Sequence, residues 1–315
     1  MANQVGHMRP ETTQKVRTHS VVCNICDRSD ARALFSGIDR LHGLKGRFEY
    51  VRCLCGLVYM NPQIDSEDSS RFYPADYNPH LIKQARASKR IRKPDLPEEM
   101  LASLGPDSKV LDVGCGSGDF LNCIRHHLHC RVSGVDTSQQ AAFVAKQQYQ
   151  IDVFQGRILD APIEDNTFDL VTAMSCIEHM NDPAAAVRRI WSLCKPKGWF
   201  YLKTPNFNSL AAKWFKDRWY NLDCPRHLYL FTPATIKALL TEYDFRDIHV
   251  YHDPSAKGLV GSLQYAAYGD NYRPEVKDRF RRSSSVRAIM SPLAHLAALL
   301  NRADTIMVSA RKTSS

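Results

Sequence analysis

Short apolar runs alternate with segments of helical spacing through the middle of this chain. Lys109 to Val113, Arg131 to Val135, Phe168 to Met174 and Trp199 to Lys203 read as buried strands, each bounded by turn residues. After the first of them, Phe120, Leu121, Ile124 and Leu128 recur at helical spacing. Asp182-Pro183 supplies a cap and a first-turn proline for a helix with Val187, Ile190, Trp191 and Cys194 on its apolar face, and Lys197-Gly198 is expected to end it. Thr232-Pro233 opens a second helix in the same way, running to about Tyr243, before a strand over Asp247 to Tyr251. Such alternation predicts an α/β fold, a Rossmann-like doubly wound sheet that is mostly parallel and covered by helices on both faces.

The first strand runs into VLDVGCGSGDF, Val110 to Phe120. Gly114, Gly116 and Gly118 let the backbone turn through conformations closed to other residues, and let a ligand approach the main chain closely. Asp112 and Cys115 lie within this run. Eighteen residues beyond Gly118, Asp136 ends the second strand, where a carboxylate can accept both ribose hydroxyls of a nucleoside; Thr137 follows it. A dinucleotide fingerprint requires glycine at position 119, which is Asp119 here, and a carboxylate at that helix start repels a pyrophosphate. S-adenosylmethionine carries a sulfonium cation and no phosphate, so it is the expected cofactor.

LDVGCGSG followed by GVDTS resembles the first two motifs of the class I S-adenosylmethionine-dependent methyltransferases. TFDLVTAMSCIEHMNDP, Thr167 to Pro183, resembles that family's fourth strand with its Glu-His ending, and LCKPKGWFYLKTPN, Leu193 to Asn206, resembles the turn into its fifth. CPRHLYLFTPATIKALL, Cys224 to Leu240, is similar to a bacterial group whose methyltransferase domain follows a small zinc-ribbon-like module. The resemblance spans about Asp107 to Phe245. It implies a last strand that returns antiparallel, for which Thr305 to Ala310 is placed, and cofactor contacts at Ile158 and Ser175. Asp160 is the first carboxylate after the third strand, and is not counted among those contacts. The group resembled often acts on sugars and other metabolites, so the implied acceptor is a small molecule or glycan precursor, methylated at oxygen or carbon.

Six parts are expected along the chain: a flexible tail over 1–20, the zinc-ribbon-like module over 21–63, a helical basic linker over 64–100, the methyltransferase core over 101–253, a helical insertion or substrate cover over 254–302, and the last core strand with a tail over 303–315. Cys23-x2-Cys26 and Cys53-x-Cys55 resemble the two knuckles of a ribbon. One residue between Cys53 and Cys55 leaves the second knuckle without its usual turn, and His42 is a candidate compensating ligand. Structural zinc and a metal-free remnant of the ribbon both stay open. Ten cysteines without a signal peptide point to reduced thiols and a cytoplasmic location.

The longest apolar stretch near the end of the sequence, Ile289 to Leu300, has 12 residues, too few to cross a bilayer, although peripheral membrane contact stays open. Lys83 to Lys93 carries six basic residues in eleven, with Leu81, Ala85 and Ile91 on the opposite face. Without interleaved aromatics this reads as a solvated helix face, so a nucleic-acid partner is not expected. The net charge of +9 favours an acidic substrate or an anionic surface. Oligomeric state is left open.

Methyl transfer asks the protein to align the acceptor, exclude water and, for some acceptors, take a proton. His227 and His179 are the candidate catalytic residues, with Glu178 beside the latter. Trp214, Trp219, Tyr220, Tyr229 and Phe231 are candidate walls of the acceptor site. Two alternatives are a nucleic-acid methyltransferase using the 83–93 run and a noncatalytic S-adenosylmethionine-binding protein. Against the first, the chain has Thr204-Pro205-Asn206 where amino-methylating enzymes carry an Asn/Asp-Pro-Pro-aromatic tetrad.

Overall fold

The computed structural model describes residues 16–73, 93–269 and 283–313. Seven strands form the central sheet: β6 (Lys109–Val113), β7 (Arg131–Asp136), β8 (Asp152–Gln155), β9 (Phe168–Met174), β10 (Cys194–Pro205), β12 (Phe245–Asp253) and β13 (Thr305–Lys312). Their order is β12-β13-β10-β9-β6-β7-β8. The pairs β10/β9, β9/β6, β6/β7 and β7/β8 are parallel, and β13 lies antiparallel between β10 and β12. The expected mostly parallel sheet with a returning last strand is therefore present. Chain order reverses between β6 and β9, which opens a crevice at the carboxyl ends of the strands.

Alternation along the strands explains the layers. Val110, Leu170 and Tyr201 bury on one face, while Leu111, Val171, Phe200 and Leu202 bury on the other. The first face is covered by α1 (Asp119–Leu128) and α2 (Gln139–Tyr149) through Leu121, Ile124 and Ala145. The second is covered by α3 (Pro183–Leu193) and α5 (Pro233–Glu242) through Val187, Ile190, Ile236 and Leu239. Asp182 caps α3 by accepting from the Ala185 N–H, and Thr232 caps α5 by accepting from the Thr235 N–H, as their sequences predict. One boundary differs from expectation. The helix α3 ends at Leu193, and Lys197, at φ 63°, turns within β10 instead of closing the helix.

A second sheet is built from β2 (Arg32–Gly37), β3 (Phe48–Arg52), β4 (Val58–Met60) and β11 (Tyr229–Leu230), in the order β11-β4-β3-β2. Its fourth strand comes from the CPRHLYLF segment, nearly 170 residues from β4 in sequence, so the cysteine-bearing region does not stand apart from the core. Cys23, Tyr50 and Tyr59 pack in the same buried cluster as Leu111 and Phe200. The Arg226 guanidinium, wholly buried, donates to Asp39, Asp223 and the Phe72 carbonyl.

Three further expectations are corrected or bounded by the structure. Thr18–His19, assigned to the flexible tail, is strand β1, paired with β5 (Gln63–Ile64), and Arg17 is held by Glu67 and Asp68. The basic run lies almost wholly outside the described residues, but Leu96 and Met100, assigned to the linker, bury against the first face of the central sheet. Within the described part of 254–302 lie α6 (Lys257–Tyr268) and α7 (Ser284–Leu299), which meet through Val260, Met290 and Ala294.

Arg226→Met should strand Asp39 and Asp223 as uncompensated buried charges and cost about 3–5 kcal/mol. Urea denaturation measures this directly; a loss below about 1 kcal/mol would show that the cross-link does not hold the two sheets together.

Candidate functional site

The glycine loop sits at the crevice between β6 and β9. Gly114, Gly116 and Gly118 have φ of 73°, 52° and 78°, and Gly118 leads directly into α1. Gly114 has a second constraint. A Cβ there would lie 2.4 Å from Cys176 Sγ, so only glycine lets the loop pass the segment after β9.

Asp136 has a structural duty that the sequence does not reveal. One of its carboxylate oxygens accepts from the Gly116 N–H and the other from the Ser138 N–H, both at 2.8 Å, so it ties the glycine loop to the start of α2. Each oxygen keeps a further lone pair. Asp112 is buried one layer below, accepting from the Thr172 hydroxyl at 2.7 Å, and burial pushes its carboxyl up to about 7. The Cys115 side chain is buried too, packed against Gly134. Of the other residues expected at the cofactor, Thr137 and Ser175 are exposed at the ends of β7 and β9, while Ile158 is buried after β8. Asp160 pairs with Arg157 at 2.7 Å on the surface, which holds its carboxyl below the ordinary value.

Across the crevice, the turn after β9 brings Glu178 and His179 against His227. Their rings lie 4.5 Å apart, edge to face, and His227 Nε2 is 4.0 Å from Glu178 Oε1. The His179 Nδ1–H donates to the Arg226 carbonyl at 3.0 Å, with Tyr73 Oη also 3.2 Å away, and the His227 Nδ1–H donates to the Asn221 carbonyl at 2.8 Å. A carbonyl only accepts, so both neutral rings carry their proton on Nδ1 and a lone pair on Nε2. Burial lowers both imidazoles, His179 to about 3 with help from His227. Burial likewise pushes the Glu178 carboxyl up to about 8; its Oε2 accepts from Thr204, and its Oε1 has no hydrogen-bond partner. Asp223 behaves oppositely: burial pulls it upward, but the Arg226 charge beside it prevails and holds it low.

Cys23, Cys26, Cys53 and Cys55 converge, with all four Sγ within 4.8 Å of one another. Cys23 Sγ is 3.5 Å from Cys55 Sγ, and Cys26 Sγ is 3.4 Å from Cys53 Sγ. Tetrahedral zinc with bonds of about 2.3 Å places its sulfurs about 3.8 Å apart, so the set fits that ion. The shortened second knuckle does have its turn: the Gly56 N–H donates to the Cys53 carbonyl, and Gly56 takes φ 95°. His42 is buried outside this cluster and is not needed to complete it. Burial raises the Cys23 thiol; at Cys53 burial also pulls upward, but the Cys55 N–H and the adjacent thiols prevail and lower it.

Residues 83–250 match the profile described as a methyltransferase domain, which is more than half of the chain. The chain belongs to the methyltransferase-domain family. It is 32% identical over 166 residues to the ubiquinone biosynthesis O-methyltransferase of Xanthomonas campestris pv. campestris, covering 47% of this chain and 67% of that one. The corresponding enzyme of Albidiferax ferrireducens is 35% identical over 108 residues, 31% of this chain and 41% of its own length. Among solved structures, a Galdieria sulphuraria protein assigned as a sarcosine dimethylglycine methyltransferase superposes with a TM-score of 0.50 at 14% identity. It covers 69% of this chain and 83% of that one, a likeness of fold alone. The protein is thus an S-adenosylmethionine-dependent methyltransferase.

The aromatic wall expected around His227 is only partly realised in this methyltransferase. Trp214 is exposed, and Trp219 is fully buried with its indole N–H donating to Asp304 at 2.5 Å. The Tyr229 hydroxyl donates to the Asn181 carbonyl, and its ring stacks on Phe231. Trp219, Tyr229 and Phe231 are all buried in the core cluster. Tyr73 and Asp223 reach the histidines without having been singled out by sequence reasoning. Each closes a single-turn helix too short to leave a periodic pattern, so only the tertiary fold reveals their contact with the histidines. No described helix is long and apolar enough to cross a membrane.

Gly114→Ala should lower the melting temperature by several degrees, because the added methyl meets Cys176 Sγ and φ is left-handed. Gly114→Ala combined with Cys176→Ala should recover the steric part of that loss. A single variant that melts with the wild type would refute the close approach.

Proposed function

We propose that this enzyme transfers the methyl group of S-adenosylmethionine to oxygen or carbon of a small-molecule or glycan-precursor acceptor held between the glycine loop and the Glu178–His179–His227 cluster. The observation that carries this reading is the packing of Glu178 and His179, from the turn after β9, against His227, with both histidines tautomer-fixed and the carboxyl buried, close to the point where Cys176 meets Gly114. A compact cluster of largely buried polar groups suits one acceptor group of a small molecule. Names of curated relatives that act in ubiquinone biosynthesis support a metabolite acceptor.

Bound in the crevice, S-adenosylmethionine supplies an activated methyl electrophile and needs no metal or nucleophile of its own. The chain's residues then position and protect. Gly114, Gly116 and Gly118 line the cradle for the amino-acid end, with Asp112 and Cys115 buried beneath it as its floor. Asp136 keeps a lone pair on each oxygen for the ribose hydroxyls, Thr137 lies at the same edge, and Ile158 and Ser175 flank the base and the methyl side. His227 Nε2, unprotonated because Nδ1–H is committed to Asn221, is the atom set to meet the acceptor's proton. His179 holds the facing edge of the site. The α6–α7 pair is assigned as a substrate cover.

The cysteine cluster is assigned to structural zinc in a ribbon-like module that shares β11 with the core, as in the bacterial group that the sequence resembles. Its role is to seat Tyr73 and Asp39 against the acceptor side, without entering the chemistry.

Asp136→Ala should weaken binding of S-adenosylhomocysteine roughly ten- to hundredfold by calorimetry, and equal affinity in a folded variant would remove Asp136 from the site. His227→Gln should lower turnover about 10²–10⁴-fold while leaving that affinity nearly unchanged; full turnover would end its assignment to the acceptor. Purified protein should carry about one zinc equivalent, released by Cys26→Ser, whereas metal-free protein with an ordered N-terminal sheet would rule the ion out.

A further inference from the structure

We propose that Glu178, His179 and His227 form a second metal site, binding a divalent cation through Glu178 Oε1 and the Nε2 atoms of the two histidines. The three donor side chains offer ligand atoms that all lie within 4.8 Å of one another. Bonds of about 2.1 Å set neighbouring ligand atoms about 3–3.5 Å apart, so closure onto an ion needs side-chain movements of roughly an ångström.

Two independent features prepare these atoms for a cation. The first is the outer shell: the backbone carbonyls of Arg226 and Asn221 each take an Nδ1–H, which is how metal-binding histidines are oriented and which leaves both Nε2 lone pairs free. The second is Glu178 Oε1, on a residue 1% exposed, which lacks a hydrogen-bond partner although Oε2 has Thr204. A buried carboxylate oxygen left in that condition is costly unless something charged or protonated meets it.

The surrounding charges permit a cation. Arg226 is the nearby positive group, and its single charge is already balanced by Asp39, with which it pairs fully buried. Asp223 Oδ2, 3.8 Å from His227 Nε2, adds a further negative charge at the edge of the cluster. Two imidazoles and one carboxylate leave coordination positions open, a set that suits zinc, manganese or ferrous iron.

This inference rests on the methyltransferase reading of the crevice and narrows it to an oxygen acceptor. A cation at the cluster would hold the acceptor hydroxyl and make it more acidic, so that its proton leaves to water. The new carbon–oxygen bond then forms as the carbon–sulfur bond breaks, with that electron pair remaining on sulfur. His227 acts in this refinement as a ligand, and the cation takes over the deprotonation.

Cobalt(II) titration of the full chain carrying a single zinc equivalent, which the four-thiolate cluster takes first, separates the two sites. A nitrogen and oxygen site gives visible d–d bands without the thiolate charge-transfer band that the cysteine cluster would give. The expected result is about one equivalent of Co²⁺ with d–d bands only, weakened at least tenfold in both Glu178→Gln and His179→Gln and retained in the surface control Asp160→Asn. Absence of those bands in the wild type, a spectrum of thiolate character alone, or bands that persist in both cluster variants would overturn the proposal. S-adenosylhomocysteine binding, measured on the same samples, keeps the two ideas distinct. Donor binding without cobalt bands defeats the metal site alone, whereas loss of donor binding in the wild type defeats the underlying reading.

Discussion

A buried ionic cross-link organises this molecule. Arg226, between the central sheet and the cysteine-bearing sheet, donates to Asp39 and Asp223 with its side chain fully shielded from water. Burying three charged groups is unfavourable unless each is met, and here the guanidinium spends its donors on two carboxylates and the Phe72 carbonyl. Its backbone works as well. The Arg226 carbonyl fixes His179, the next residue is His227, and the Leu228 N–H donates to the Glu178 carbonyl. Tyr50 of the second sheet donates its hydroxyl proton to the His227 carbonyl. The position of the acceptor side therefore follows from the docking of the two sheets.

The donor side depends on a different device. Parallel strands buried on both faces fix the ends of β6, β7 and β9, and Asp136 then ties the glycine loop to the start of α2 through two backbone amides. A carboxylate that must hold the loop and also offer lone pairs to a ribose links cofactor recognition to loop order. Cys176 connects the two sides, since it fills the space that a side chain at position 114 would occupy.

What was legible in the sequence was what neighbouring residues determine. The strand runs, the Asp182 and Thr232 caps and the left-handed glycines each follow from local spacing, and the antiparallel return of β13 follows from family resemblance. Long-range partnerships were not legible. Arg226 and Asp39 are 187 residues apart, and nothing in either segment's periodicity announces the other. The pairing of β11 with β4 was hidden for the same reason, because a two-residue strand has no detectable pattern. At Cys53-x-Cys55 the spacing misled: the turn is supplied by Gly56, one residue beyond the pair. The aromatic segment misled in another way, since composition cannot tell a wall that faces a ligand from Trp219 and Tyr229, which face their own supports.

The central claim is that the cysteine-bearing sheet and the methyltransferase core open as one unit, because the acceptor side is built from both. Native-state hydrogen exchange tests it at the seam, where the Met60 N–H donates to the Leu228 carbonyl and the Leu228 N–H donates to Glu178. The account predicts that the amides of Met60, Leu228 and the core strand residue Val171 exchange with the same opening free energy and the same denaturant dependence. Early exchange at Met60, with Leu228 and Val171 still protected, would contradict it and make the N-terminal sheet an independently unfolding appendage.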